Sequence, residues 1–226
     1  GSYSGSTPDS KKGAVTINIT GGNIEKATGG GEYVSSSKRW YSGAGIGAGL
    51  NAGTTTINIK DNAHIVSATG GKYGGAGIGS GSSDTKNNSK KGAVTINITD
   101  GTIEKAEGKN GGAGIGSGYY GRSSTVNISG NAELKDVKGG NLAAGIGSGY
   151  DSDKVDVVID GGTINATGGD SAAGIGSGLG VEHQPVRIQQ DVLAQALNGH
   201  GERGLFGAAV GRRRGVVVAF SVRILC

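Results

Sequence analysis

Asp151, Asp153, Asp156 and Asp160 are the one dense acidic stretch in this chain. Cleaving a glycosidic bond asks for two carboxyl groups at a defined separation, and lyase chemistry on acidic sugars asks for carboxylates that hold Ca²⁺ beside an Arg or Lys. A single stretch gathers no such set on one face, so the expectation is a chain with no catalytic residue. Asp151 and Asp153 share one loop and are the only pair offered to a metal, a Ca²⁺ ion by the hardness of their oxygens. His64, His183 and His200 fall at unrelated places, and no Ser, His and acid can be aligned into a relay. Cys226 is the only cysteine and the last residue, which leaves neither a disulfide framework nor a thiolate metal site.

The glycines invite a cofactor reading that their spacing refuses. A dinucleotide fingerprint is G-x-G-x-x-G, used once, between a strand and a helix that holds the pyrophosphate. Here the phrase is G-x-G-x-G, it recurs five times around Ile46, Ile78, Ile115, Ile146 and Ile175, and no helical pattern follows it. No cofactor is expected beyond Ca²⁺ at the aspartate pair.

Two other sets of side chains are placed to bind. Tyr33, Trp40 and Tyr41, with Lys38 and Arg39, sit in an insertion at 31–42, and Tyr73 falls at the equivalent place one repeat later. Tyr119 and Tyr150 share a position after the glycine phrase, with Tyr120 beside them. Aromatic faces stack on the C–H surfaces of sugar rings while polar neighbours take the hydroxyls, and Lys38 with Arg39 would favour acidic sugars. The simpler account is that these rings pack over the corners of the fold. The second set is an outward array: Thr16, Asn18 and Thr20; Thr56 and Asn58; Thr95, Asn97 and Thr99; Thr125 and Asn127. It looks like the threonine ladders of ice-binding β-solenoids, although Lys60 interrupts it and Asp156, Val158 and Asp160 end it. Asn and Thr are also ordinary outward residues that hydrogen-bond along a stack.

The elements that must hold these groups are short and repeated. The isoleucines of the glycine phrase are spaced by 32, 37, 31 and 29 residues, and a T-I-N-I phrase recurs at 16–19, 56–59 and 95–98 and, altered, at 125–128 and 156–159. A third extended phrase follows each one. Periods of this size mean a solenoid, propeller or array. T-I-N-I alternates with period two, so Ile17 and Ile19 face a core while Thr16, Asn18 and Thr20 face water. Segments this short cannot make propeller blades, and no 3.6-residue pattern appears before residue 188. The fold predicted is all-β: a single-stranded parallel β-helix of about five coils of 29–40 residues, right-handed by the usual rule for parallel crossovers, plus a degenerate C-terminal coil or cap.

That fold supplies the core which the composition seems to lack. Glycine accounts for 49 of 226 residues and aromatics for 4%, too few bulky side chains for an ordinary layered domain. Stacked coils would instead bury ladders such as Ile17, Ile57, Ile96, Val126, Val157 and Ile19, Ile59, Ile98, Ile128, Ile159. With the glycine-phrase isoleucines also inward, their flanking glycines would face outward as a surface almost free of side chains, against which a second rod or an extended polymer could lie. Simple backbone bends are the commoner use of glycine.

The net charge of +4 is spread along the chain, which argues against nucleic acid, and no apolar run approaches the length of a membrane span. Gly1-Ser2 reads as a tag remnant. The organisation predicted is a lead-in at 1–12, the β-helix at 13–180 and a cap or non-native tail at 181–226. Fourteen lysines and two arginines precede residue 180, whereas six arginines and no lysine follow it. Within the tail, 186–188 and 207–211 suggest a sixth coil, and 191–197, ending at Asn198-Gly199, a short capping helix.

The phrases GGAGIGSG at 111–118, SAAGIGSG at 171–178 and ITDGTIEKAEG at 98–108 resemble the Gly-rich repeats of bacterial cell-surface proteins described as carbohydrate-binding. The resemblance covers 13–180. It implies a pectate-lyase-like fold without the catalytic residues, secretion or display on a bacterial surface, and a polysaccharide or host-cell glycan as partner. The expected function is a non-catalytic extracellular module for adhesion or polysaccharide binding. A structural stalk or self-assembling rod is the alternative, and an ice-binding solenoid the third reading.

Overall fold

A strand that alternates Ile with Thr or Asn is stable only where one face is covered, and the next copy of the same strand supplies that cover here. A computed structural model describes residues 14–35, 39–50, 52–83, 92–121, 123–181, 186–188, 193–199, 209–213 and 216–220. Its principal sheet runs in order through Val15–Thr20, Thr55–Lys60, Val94–Ile98, Ser124–Lys138, Val155–Asp170 and Val186–Ile188, each parallel to the next. Register is strict. Ile17 pairs with Ile57, Ile57 with Ile96, Ile96 with Val126, Val126 with Val157 and Val157 with Val186. Ile57, Ile59, Ile96, Ile98, Val157 and Ile159 are wholly buried, and each such side chain contributes about 1.5–3 kcal/mol. In the first coil Ile17, Ile19, Ile24 and Ala27 are only partly buried, since no described coil stacks on their other side.

Each coil turns a corner into a second short segment and then returns through the glycine phrase. Ile65, Ile103, Leu134 and Ile164 extend the core around that corner. Ile46–Gly47, Ile78–Gly79, Ile115–Gly116, Ile146–Gly147 and Ile175–Gly176 form a second parallel sheet of five strands. Their isoleucines point inward, as expected; Ile78, Ile115 and Ile146 have no exposed surface.

The expected outward glycine surface does not exist. Gly77, Gly79, Gly114, Gly116, Gly145 and Gly147 are buried. Gly116 has φ +140°, a conformation that L side chains rarely adopt, and a Cβ there would overlap the carbonyl oxygen of Gly147 in the next coil. A Cβ on Gly114 would lie 2.7 Å from the Gly145 carbonyl and 2.8 Å from that of Lys138. Neighbouring backbone lies too close for side chains at these positions, and the backbone-bend account of the glycines is the right one.

The insertion at 31–42 forms an antiparallel hairpin, Gly31–Val34 with Arg39–Ser42, pairing Tyr33 with Trp40 and Glu32 with Tyr41. At the other end the expected capping helix is a strand. Leu193–Gly199 lies parallel to the fifth coil, with Leu193 opposite Thr163 and Leu197 opposite Thr167. The segment is helix-prone in isolation, but the fifth coil presents a row of unpaired backbone groups, and pairing with them overrides local propensity. Val186–Ile188 and Leu193–Gly199 thus make the sixth coil. Ala209–Arg213 then pairs with Val186–Ile188, and Val216–Phe220 runs antiparallel to it.

Candidate functional site

Two turns of successive coils meet along one side of the solenoid, and their backbone bonds hold them together. The amide of Tyr119 donates to the Gly74 carbonyl at 2.8 Å, that of Tyr150 to Gly111 at 2.7 Å and that of Leu179 to Leu142 at 2.8 Å. The turn that follows each glycine strand therefore rests on the turn that precedes the strand one coil earlier. Glycine makes room for the rings. A Cβ on Gly111 would lie 2.5 Å from Tyr119 Cδ2 and 2.7 Å from Tyr150 Cβ, and one on Gly74 would overlap Tyr119 Cβ.

The result is a groove of roughly 670 Å³ lined by Trp40, Tyr73, Tyr119, Tyr120, Tyr150 and Leu142, with Ser82, Ser83, Asn110, Asn141 and Gly111 between them. The sequence placed its aromatics at two separate positions, and the fold joins them. Trp40 lies 4.2 Å from both Tyr33 and Tyr73, ring centre to ring centre, and Tyr119 lies 4.2 Å from Tyr120 and 5.1 Å from Tyr150. The only tryptophan and five of the seven tyrosines thus share one surface. Trp40 is 49% exposed and Tyr33 41%; the other four are half-buried. Lys72 stands over the Tyr73 ring, its Nζ 5.4 Å from the centre.

Burial first, and then a hydrogen bond with Tyr120, push the Tyr119 phenol well above its usual range, so it stays neutral. Tyr120 and Leu142 hold φ of +53° and +64°, and Asn110, in the equivalent turn, +48°. Such values are rare for a bulky residue, and strain of this kind concentrates where a surface is shaped for a task.

Sequence reasoning missed the serines that set the tyrosine turns. Ser80 Oγ accepts from the amide of Gly118 at 2.9 Å, Ser117 Oγ from Gly149 at 3.0 Å and Ser148 Oγ from Gly178 at 2.8 Å. Gly118 and Gly149 immediately precede Tyr119 and Tyr150, so each buried hydroxyl fixes the ring of the next coil. The signal was present in the repeated S of GIGSG, because a polar residue recurring inside an apolar phrase must be answering a buried backbone group.

Other expected site residues lie elsewhere. Tyr41 alternates with Trp40 along the hairpin strand, is half-buried and does not line the groove. Lys38 and the side chain of Arg39 lie outside the described residues. The T-x-N array is a real outward ladder on a different face: Asn58 Nδ2 donates to Asn18 Oδ1, Asn97 to Asn58 and Asn127 to Asn97, each at 2.8 Å. Each inner amide is therefore engaged with its neighbours. Val158 replaces the next Asn and ends the ladder. Asp151 follows Tyr150 at the end of the groove, and among the described residues no group of three or more His, Cys, Asp or Glu gathers for a metal, around Asp153 or elsewhere. On the second segments Glu104 accepts from Lys135 at 3.0 Å and lies 3.2 Å from His64 Nε2. Lys135 and then His64 hold the Glu104 carboxyl below its usual range. That row is an exposed charge lattice, not a cleft.

The model of a beta helix repeat family matches residues 17–50, 96–119 and 157–179, on the first, third and fifth coils. The chain is similar to that family over these stretches, and its fold is a parallel β-helix. Curated proteins and solved structures gave no match. The matched stretches contain Trp40, Asn110 and Tyr119 of the groove, and the second and fourth coils, outside the match, supply Tyr73, Asn141 and Tyr150.

Proposed function

We propose that this β-helix repeat protein is a non-catalytic module that binds a glycan in the aromatic groove, displayed on a bacterial surface or secreted. The observation that carries this reading is the convergence of Trp40, Tyr73, Tyr119, Tyr120 and Tyr150 on one open groove, with amides and hydroxyls between the rings. Flat apolar faces beside fixed polar groups match a pyranose, which is apolar on its C–H faces and polar around its rim. Hydrogen-bonded backbone turns hold Tyr119, Tyr120 and Tyr150 in place, so little order has to be imposed on these rings when a sugar binds. None of the described lining residues is a carboxylate, whereas glycosidic bond cleavage asks for two.

Retention of the whole chain on immobilised polysaccharides, with Trp40 emission as a second readout, tests the reading. Trp40→Ala combined with Tyr119→Ala should abolish retention and Tyr41→Ala should leave it intact. Equal retention by the double variant, with the parent protein bound, would move the site off this groove. No retention of the parent protein on any glycan would overturn the reading and favour the rod. One observation supports that second reading: Val15–Thr20 ends the principal sheet with no described strand on its outer side, an edge at which another solenoid could pair. Self-association visible by sedimentation, and lost on Asn18→Pro, would support it.

A further inference from the structure

We infer that the groove takes an uncharged oligosaccharide lying along the solenoid axis, about three or four sugars long. The inference rests on the glycan reading and goes beyond it in charge, direction and length.

Direction and length come from which coils supply the lining. Trp40 belongs to the first coil; Tyr73, Ser82 and Ser83 to the second; Asn110, Tyr119 and Tyr120 to the third; Asn141 and Tyr150 to the fourth. Four coils stacked at about 4.8 Å span about 15 Å from the first to the last. A hexopyranose adds close to one coil step to a linear chain, so successive sugars would meet successive copies of the same two turns. A ligand running across the axis would meet the lining of a single coil and leave most of the rings unused. The run is closed at the fifth coil, where Leu179 takes the place of Tyr119 and Tyr150 after the glycine phrase.

Charge comes from what the lining contains. Among the described lining residues none carries a charge: the polar groups are the amides of Asn110 and Asn141 and the hydroxyls of Ser82, Ser83 and the tyrosines. A uronate laid on half-buried phenols would lose hydration, and none of the described lining residues is a cation that could replace it. Lys72, the described cation at the rim, is engaged over Tyr73. Neutral hydroxyls, by contrast, are served by amides that both donate and accept.

The test is a titration of the whole chain, followed by Trp40 emission and calorimetry. Neutral β-1,4-linked gluco-, manno- and xylo-oligomers of two to six units are compared with oligogalacturonides of the same lengths. At least one neutral series should bind, with the tetramer roughly tenfold tighter than the dimer and little further gain at six. The galacturonides should bind at least tenfold more weakly than the neutral tetramer at every length. Asn141→Ala, at an exposed turn, and Tyr150→Phe should each weaken the tetramer several-fold more than the dimer. Tighter binding of galacturonides, weakening with salt, would overturn the inference yet leave the glycan reading standing. Neutral binding that is independent of length, or an Asn141→Ala variant that weakens dimer and tetramer equally, would overturn the axial arrangement alone. No binding to either kind would sink the inference together with the glycan reading.

Discussion

Ile115 and Tyr119 stand in a single phrase of the third coil, yet their surroundings have opposite demands. Around Ile115 the neighbouring glycines touch backbone of the next coil, and nothing in that contact can yield. Around Tyr119 the contacts are between side chains and turns, and the equivalent place holds Leu50, Ser82, Tyr150 or Leu179 in other coils. The glycine strand is therefore bound to one chemistry in every coil, while the turn just beyond it can hold whatever suits a ligand. A solenoid separates stability from specificity by this means: the first lies in what repeats and the second in what varies.

Breaking the comparison at its rigid end should give the largest effect. Gly116→Ala puts a methyl group onto the Gly147 carbonyl and demands φ near +140° from an L residue. The expected loss exceeds about 4 kcal/mol, beyond ordinary point substitutions, and should appear in denaturant melts as an absent or non-cooperative transition. Gly176→Ala separates the two causes. Its φ is +133°, but the nearest atoms to its Cβ would be Ala173 Cβ at 3.5 Å and Val186 Cγ2 at 3.7 Å, so only the backbone strain of about 1–3 kcal/mol remains. Equal losses at the two sites would mean that the close approach of coils contributes nothing.

Ile115→Ala removes a wholly buried side chain from the middle of the stack. It should cost roughly 2–5 kcal/mol, read as a shift of the urea midpoint with an unchanged slope. A cost below about 0.5 kcal/mol, the range of surface sites, would contradict the inward ladder.

How far the sequence could anticipate this follows from the same division. The isoleucine ladders and their register were legible because a two-residue alternation repeated at a fixed period admits one stacking, and the pairing of Ile17, Ile57 and Ile96 follows from it. The glycine face left two readings open, because periodicity says which way a residue points and not how near the next backbone lies. The segment 193–199 was misread because its propensity is local while its partner, the edge of the fifth coil, is not. The groove was half legible. Tyr119 and Tyr150 share a repeat position and could be paired from spacing alone, but their junction with Trp40 and Tyr73 depends on a hairpin whose direction no repeat encodes.

The serines mark the boundary between the two regions. Ser117→Ala leaves the Gly149 amide without its acceptor and removes the contact with Ser152 Oγ at 3.1 Å. A buried donor without a partner costs about 1–3 kcal/mol. Because Gly149 leads into Tyr150, the variant should also lower affinity for whatever the groove binds, which Tyr150→Phe alone would not do through stability. A variant as stable as the parent would show that water answers the amide and that the serine has no positioning role.

The smallest expected effect tests the permissive end. Trp40 stacks on Tyr33 and Tyr73 but is half exposed, and it projects from a hairpin that the second to fifth coils do without. An aromatic pair adds about 0.5–1.5 kcal/mol when well packed, and exposure on one side reduces that, so Trp40→Ala should cost about 1 kcal/mol or less and lower Tm by about 2–4 °C. The same variant should lose most of the glycan signal. That combination, a small change in melting with a large change in binding, is what a surface kept for a ligand requires. If Trp40→Ala instead destabilises the chain as much as Ile115→Ala, the rings serve as a lid over the corners of the coils. The groove would then be a seam in the core, and the separation of stability from specificity along each phrase would not hold.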